Sequence, residues 1–246
     1  MRVFLLDRRY GGEDSYQLSK KERMYLNKVL RLEIGTGFTA KDSSERYYRA
    51  VLIDEDLISL EITDAPEETL LDSLSSYKGP FMPIDLYMSV LKGKKNEAVI
   101  RQATEIGVRR IILMDTEFTE KNTMNSHQRE RLDTIAREAV QQSGGKLPAI
   151  TGPMAFADAI RSTEGRAIIL HQSRRQRTLT LQEALDGLSI DDQVSVLIGP
   201  EGGFSDDECI LAEENGIQPV LLNTNILRAE TASIYAVSAI QAIIQN

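Results

Sequence analysis

The sequence predicts an α/β protein in which a small N-terminal β-barrel is followed by a larger domain built on a parallel β-sheet. Short β-like runs separated by turns occupy roughly the first 70 residues. Farther along the chain, apolar strands alternate with helices, a pattern typical of a parallel sheet covered on both faces. The chain has 246 residues, of which 41% are hydrophobic, and this is enough for two domains. We expect the barrel at 1–74 and the α/β domain at 75–246.

The first domain is predicted from four β-like runs, RVFLL, GFTAKD, YYRAVLI and LISLEIT. Turn-forming stretches such as EIGTG and DED lie between them. The stretch EETLLDSLSSYKGP follows, and its acidic start and its Ser-, Gly- and Pro-containing end are typical of a linker. This composition places the domain boundary near residue 75.

The second domain is predicted from alternating strands and helices. The strands are IDLYMSVL, RRIILMD, RAIILH, QVSVLIG and IQPVLL. The helices are KNEAVIRQATEIG, SHQRERLDTIAREAVQQSGG, MAFADAIRS, TLTLQEALDGL, SDDECILAEENG and AETASIYAVSAIQAIIQ. Because the last helix is apolar on more than one side, it needs a partner besides the sheet, and we predict a homodimer.

Composition excludes several classes of protein. No apolar stretch approaches the ~20 residues that cross a bilayer, and the opening MRVFLLDRRY is too brief for a secretory signal. We therefore expect a cytoplasmic protein without a membrane partner. A single cysteine, Cys209, cannot form an internal disulfide, and two histidines argue against a protein-built zinc site, so no metal is predicted.

Basic residues are clustered although the net charge of −8 argues against a protein that coats nucleic acid uniformly. Such clusters are compatible with a localised RNA contact, and a solvated surface is the alternative for each of them. The candidate RNA-binding residues are Arg8, Arg9, Lys20, Arg23, Lys28, Arg31, Lys92, Lys94, Arg174 and Arg175.

A glycine-rich motif, VLIGPEGGFSDDE, spans residues 196–208. It joins a predicted strand to a predicted helix, where open α/β sheets bind their ligands. Gly202 and Gly203 permit backbone geometry or close approach that a Cβ would block. Ser205 and Glu208 have the spacing of a capping box. The motif is neither a GxGxxG fingerprint nor a phosphate-binding P-loop, and a purely structural tight turn is the alternative.

A second motif, LLNTNILRAETASIYA, spans residues 221–236 and leads from a strand into the last helix. Arg228 and Glu230 lie at the entrance of that helix. A helix cap with its counter-ion is one interpretation of this pair. A ligand site is the other, because the ends of parallel strands meet at one edge of a sheet.

These two motifs, in this order, resemble the RsmE family, bacterial 16S rRNA uridine N3-methyltransferases of the SPOUT superfamily. The family carries LIGPEGGFS..E and a later LG.RILR.ETA, which stand here as LIGPEGGFSDDE (197–208) and LNTNILRAETA (222–232). Two weaker stretches agree, KGKKNEAVIRQATEIGV (92–108) and REAVQQSGG (137–145). The likeness covers nearly the whole chain.

The resemblance implies a PUA-like N-terminal barrel that helps to hold RNA and a C-terminal SPOUT domain with a trefoil knot. It implies S-adenosylmethionine as the methyl donor and N3 of uridine 1498 in 16S rRNA, within the small ribosomal subunit, as the acceptor. Arg228 is then the candidate for stabilising negative charge on the base. Glu201 and Glu230 are candidates for orienting Arg228 or accepting the proton. The implied cofactor-binding residues are Leu170, His171, Ile198, Gly199, Pro200, Glu201, Gly202, Gly203, Leu222, Asn223, Ile226, Leu227, Arg228, Thr231 and Ala232.

The sequence departs from the family pattern at four positions. Asn223 replaces a Gly, Ala229 replaces a Thr, and Asn225 and Gly145 stand where an Arg is common. Asn at 223 is tolerable because Asn adopts positive φ more readily than most residues. If the missing arginines touch RNA in relatives, this chain needs other contacts, for which the basic run at 173–177 is a candidate.

Three other functions stay open at this point. Another SPOUT enzyme could methylate a different base or a ribose 2′-hydroxyl with the same cofactor loops. A relative could bind RNA without catalysis. A Rossmann oxidoreductase is disfavoured because the GxGxxG fingerprint is missing and the glycine motif comes late in the chain.

Overall fold

The structure is a computed structural model that describes residues 3–13, 15–44, 46–63, 81–119, 124–171 and 177–245. The chain divides into two units. The first comprises Met1–Lys78 and Val140–Gly144, and the second comprises Gly79–Ala139 and Gly145–Asn246. The linker stretch and the boundary near residue 75, which the sequence predicts, lie outside the described residues.

The N-terminal unit contains a five-stranded sheet with the order β1-β3-β4-β5-β2. Its strands are β1 (Phe4–Leu5), β2 (Ser15–Gln17), β3 (Gly37–Lys41), β4 (Tyr47–Asp54) and β5 (Leu57–Thr63). β1 pairs with β3 in parallel and the other pairs are antiparallel. Alternate residues of β4, namely Tyr48, Ala50 and Leu52, are buried in one apolar core, as expected for a sheet with one covered face.

A short helix that the sequence analysis did not predict follows β2. This helix, α1 (Lys20–Met24), continues as a π-helical turn at Tyr25–Val29. Its start is a capping box in which Ser19 and Glu22 exchange side-chain and backbone hydrogen bonds. The buried Glu22 carboxylate also accepts a 2.8 Å hydrogen bond from the Tyr16 hydroxyl. Five residues are too few to form a helix alone, so these contacts hold it in place.

The C-terminal unit is built on a seven-stranded sheet with the order β10-β12-β9-β11-β6-β7-β8, in which every pair is parallel. The parallel sheet of the sequence analysis is therefore confirmed. Its strands are β6 (Ile84–Ser89), β7 (Arg110–Asp115), β8 (Ala149–Ala155), β9 (Arg166–Leu170), β10 (Leu179–Thr180), β11 (Val194–Ile198) and β12 (Gln218–Leu221). β8 and β10 were not predicted. The last two residues of β8, Met154 and Ala155, and both residues of β10, Leu179 and Thr180, are strand where the sequence favoured a helix.

Helices cover both faces of this sheet. They are α2 (Lys95–Ile106), α3 (Ser126–Ser143), α4 (Phe156–Arg161), α5 (Leu181–Ala184), α6 (Asp206–Glu214) and α7 (Ala229–Ile244). The core on one face receives buried residues from α2, α3, α5 and α7, and the core on the other face receives them from α4 and α6. In the central strand β11, Val196 and Ile198 face the first core and Leu197 the second, so both faces of the strand are buried.

A network of charged groups around the buried Asp85 holds the amino-terminal edge of the sheet together. The carboxylate of Asp85 in β6 is fully buried. It accepts hydrogen bonds from Arg109 at 2.6 and 2.9 Å, from Arg110 at 2.5 Å and from Gln193 at 2.9 Å. Both arginines also pair with Glu164 at 2.9 Å. The network joins the segments that lead into β7, β9 and β11, and each charge in it is paired, as buried charges must be.

In the described part of the chain, no helix is both long enough and apolar enough to cross a membrane.

Candidate functional site

The two sequence motifs meet at the carboxyl-terminal edge of the parallel sheet. β9, β11 and β12 end at Leu170, Ile198 and Leu221. In register, Leu197 lies beside Ile169 and Val220 lies beside Leu170. Residues 199–203 and 222–228 therefore leave the same edge of the sheet, on either side of β9. The carboxyl edge is where open α/β sheets bind ligands.

The glycine motif forms a tight turn after β11. The Gly203 N–H donates to the Pro200 carbonyl at 2.9 Å, and Gly203 has φ +75° with nothing near its missing Cβ, so glycine is needed here for conformation. Gly199 is needed for space, because a Cβ there would lie 3.0 Å from the carbonyl carbon of Gly203. Glu201 and Gly202 are exposed. The turn thus presents its main chain to solvent at the edge of the sheet.

The predicted capping box at the start of α6 is present. Ser205 accepts a hydrogen bond from the Glu208 N–H, and the Glu208 carboxylate accepts one from the Ser205 N–H at 2.9 Å. The same carboxylate accepts a 2.8 Å hydrogen bond from the N–H of Glu117, in the loop after β7. Phe118 of that loop lies against the turn, since a Cβ on Gly202 would be 3.0 Å from the Phe118 Cβ. Gly202 therefore leaves room for an aromatic side chain.

The second motif leads from β12 into α7 along an exposed path. Asn223, Asn225 and Ile226 are exposed, whereas Leu222 and Leu227 are partly buried. Arg228 is the extended residue at the N-terminal cap of α7 and has no side-chain capping hydrogen bond. Its carbonyl accepts the 2.8 Å hydrogen bond from Ala232. The cap interpretation of the Arg228 side chain is therefore not supported.

A lysine that the sequence analysis did not single out connects the two motifs. The Lys95 ammonium, in the first turn of α2, lies 2.5 Å from Glu201 Oε1 and 3.7 Å from Glu230 Oε2. Glu230 Oε2 is buried without a hydrogen-bond partner. Among the described residues no carboxylate pairs with the Arg228 guanidinium. In the structure, both Glu201 and Glu230 are therefore ion-paired with Lys95.

The Lys95–Glu201 pair changes the acidity of both groups. The hydrogen bond to Glu201 raises the pKa of Lys95 above its ordinary value, against the opposing effect of desolvation. The same hydrogen bond lowers the pKa of Glu201, again against desolvation. Both groups are consequently charged near neutral pH. About a third of each side chain is exposed (33% and 35%), so the pair is accessible from solvent.

Most of the remaining predicted cofactor residues lie at this edge. Leu170 and His171 are partly buried where β9 ends, and the His171 N–H donates to the Val220 carbonyl at 3.1 Å. Thr231 is exposed in the first turn of α7, and Ala232 packs against the core beneath it. His127, Cys209 and the acidic residues form no cluster that could hold a metal within the described ranges.

The predicted RNA-binding residues are distributed over both units. Within the N-terminal unit all six candidates are exposed: Arg8, Arg9, Lys20, Arg23, Lys28 and Arg31. The Arg8 guanidinium lies 5.0 Å from the centre of the Tyr16 ring. Lys92 and Lys94 are exposed just before α2. Arg174 and Arg175 lie outside the described residues.

Sequence reasoning missed two residues at this site, Lys95 and Phe118. Lys95 belongs to the KGKK run that carried part of the family resemblance, so a signal was present. Nothing in the run distinguishes Lys95 from Lys92 or Lys94, because the orientation of α2 decides which lysine reaches Glu201. Phe118 carried no signal beyond its position after a strand.

Comparison with known proteins first assigns the chain to a class of enzymes and then to one family within that class. The family described as RNA methyltransferase domain matches residues 78–241. A ribosomal RNA small subunit methyltransferase E from Synechocystis is 30% identical over 240 residues, which cover 95% of this chain and 75% of that protein. The chain belongs to the ribosomal RNA small subunit methyltransferase E family, which confirms the resemblance to RsmE.

Solved structures agree on the fold. A methyltransferase from Legionella pneumophila, in complex with bound S-adenosylmethionine, has a TM-score of 0.82 at 24% identity and covers 98% of this chain and 96% of its own. The ribosomal RNA small subunit methyltransferase E from Neisseria gonorrhoeae, bound to S-adenosyl methionine, has a TM-score of 0.78 at 23% identity, with 99% and 98% covered.

Proposed function

We propose that this chain transfers the methyl group of S-adenosylmethionine to N3 of a uridine in small-subunit ribosomal RNA. The observation that carries the proposal is the meeting of the GPEGG turn, the LRAETA helix entrance and Lys95 at one exposed edge of the sheet. The names of the relatives, which are small-subunit rRNA methyltransferases, supply the class of substrate.

The residues at this edge fit the methyl donor. Main chain at the exposed residues 201–202 and 223–226 offers hydrogen-bonding groups for a nucleoside, with the partly buried Leu222 and Leu227 beside it. Glu230 Oε2 is a buried acceptor without a donor, which is the kind of atom that a bound ligand satisfies. When bound, S-adenosylmethionine supplies an electrophilic methyl group on a positively charged sulfur, and nearby carboxylates favour that charge.

The protein side chains have three tasks in such a reaction. The site must align the acceptor nitrogen and exclude water, an effect worth up to ~7–11 kcal/mol in model systems. Negative charge on the ring oxygens must be stabilised as the N3 proton leaves, and we assign this to Arg228. The proton must be accepted, and we assign this to the Glu230 carboxylate. Glu201 is the poorer base because Lys95 holds its pKa low.

We further propose that RNA is held by the exposed basic residues of a PUA-like N-terminal unit and by Lys92 and Lys94. The order of the second sheet supports a C-terminal trefoil knot, because β12 lies between β9 and β10, which precede it consecutively in the chain. The exposed Tyr235 on α7 and the fully exposed Ile226 support a homodimer. A protein with this substrate would act in the cytoplasm.

The function is tested with small ribosomal subunits from a strain lacking the corresponding enzyme. Purified protein and labelled donor are incubated with the subunits, and the modified nucleoside is then identified. The proposal expects 3-methyluridine. A 2′-O-methylated nucleoside or another methylated base would assign a different acceptor to the same fold. RNA binding without donor binding by calorimetry would indicate a relative without catalysis.

A further inference from the structure

We propose that Lys95 is a positioning residue that keeps Glu201 and Glu230 off Arg228, so that the Arg228 guanidinium stays available for the RNA substrate. The inference rests on the proposed function and adds to it the residue that sets the charge arrangement of the site. It concerns a lysine that lies more than a hundred positions before its partners in the sequence.

The contacts define the arrangement. The Lys95 ammonium hydrogen-bonds Glu201 at 2.5 Å and lies 3.7 Å from Glu230. Arg228 is the N-terminal cap residue of α7 and lies two positions before Glu230, in the first turn of the same helix. Two cationic side chains, Lys95 and Arg228, and two anionic ones, Glu201 and Glu230, thus belong to this part of the site. Each carboxylate could pair with either cation, and in the structure both carboxylates lie beside Lys95.

Arg228 would be the stronger partner for a carboxylate if geometry allowed it. A guanidinium binds carboxylates through two parallel hydrogen bonds, whereas an ammonium acts as a single point charge. A carboxylate-bound guanidinium has fewer donors left for a base oxygen or a phosphate. By occupying Glu201 and attracting Glu230, Lys95 prevents this competition and leaves Arg228 exposed.

A contribution to folding stability does not explain why Lys95 pairs with these two carboxylates. Ion pairs that remain about one-third exposed contribute little to folding. If Lys95 were only a surface contact, its replacement would leave turnover unchanged, as would the removal of any other exposed cation of similar pairing.

The test is second-site suppression. Lys95→Met is expected to lower kcat by about 10- to 100-fold, while the Kd for S-adenosylmethionine, measured by calorimetry, changes by less than about threefold. Lys95→Arg is expected to keep most of the activity. The double variant Lys95→Met/Glu201→Gln is expected to recover about tenfold over Lys95→Met, because one of the two competing carboxylates is gone. Arg161→Met is the control, since it removes an exposed cation that pairs with Asp158 at 3.0 Å on the other face of the sheet.

A double variant no more active than Lys95→Met would overturn the inference, and so would equal losses of kcat and donor affinity in Lys95→Met. A crystal structure of Lys95→Met gives a readout that does not depend on activity. The inference expects the Arg228 guanidinium within about 4 Å of Glu201 or Glu230, and an unmoved Arg228 contradicts it. Wild-type protein that methylates no ribosomal RNA refutes the proposed function, and the crystallographic result still decides the role of Lys95.

Discussion

Replacing Gly203 by alanine should weaken binding of the methyl donor by an amount that the backbone geometry sets. Gly203 has φ +75° and nothing within 4 Å of its missing Cβ, so the substitution creates strain without a clash. An L-residue in this conformation costs about 1–2 kcal/mol. The turn can relieve that strain only by leaving its conformation, which breaks the Gly203–Pro200 hydrogen bond of 2.9 Å and displaces Glu201. Donor binding must then restore the turn.

The cost of restoring the turn corresponds to a loss of affinity of about 5- to 30-fold. Gly216 supplies a matched control. It has φ +77°, is equally free of neighbours, and lies after α6, at the opposite edge of the sheet. Gly216→Ala should lower the melting temperature by about 2–8 °C for the same strain, yet leave donor affinity unchanged.

The assay is calorimetric titration of each variant with S-adenosylmethionine, together with thermal unfolding. Equal affinity losses in Gly203→Ala and Gly216→Ala would show that global stability, and not the turn, controls binding. Unchanged affinity in Gly203→Ala would show that the turn after β11 does not hold the donor.

Three further predictions concern charged residues. Arg228→Ala should reduce kcat by about 100-fold or more and change donor affinity much less, as steady-state kinetics and calorimetry will show; equal losses would remove Arg228 from its assigned role. Asp85→Asn should lower the free energy of unfolding by about 3 kcal/mol in urea titrations without changing donor affinity, because Asp85 is buried at the far edge of the sheet. Lys95 holds the pKa of Glu201 below its ordinary value of 4.5, so the stabilisation from this pair is complete above pH 4.5 and is lost as the pH falls through the lowered pKa. In NMR titrations, Lys95→Met should raise the titration midpoint of Glu201 unless Arg228 takes the place of the lysine. An unshifted midpoint without an Arg228 contact would contradict the pairing.

The sequence predicted the elements whose patterns are local. β11 is a mostly apolar, fully buried run that is followed by glycine, and α6 begins at a capping box, so each can be located from a dozen residues. β2 and α1 have three and five residues, and β2 is held by its pairing with the distant strand β5. Their formation depends on tertiary packing, which a window of sequence does not contain.

The candidate site was predictable only in part for the same reason. The motifs placed Glu201 and Glu230 at strand and helix ends, and parallel topology brings such ends together. Their partner is fixed by how α2 packs beside α7, which brings Lys95 within 2.5 Å of a residue 106 positions later. The charge pattern alone favoured Arg228 as the neighbour of Glu230, because the two residues are close in sequence.

The two edges of the parallel sheet have different roles, one in stability and the other in ligand binding. At the amino-terminal edge, the Asp85 carboxylate is enclosed by two arginines and a glutamine amide and has no contact with solvent. Substitutions there are destabilising, and this edge has no part in binding a ligand. At the opposite edge, residues 201–202 and 223–226 are exposed to solvent. Substitutions near residues 200 and 225 can therefore change ligand specificity during evolution. The amino-terminal edge meanwhile keeps the domain folded.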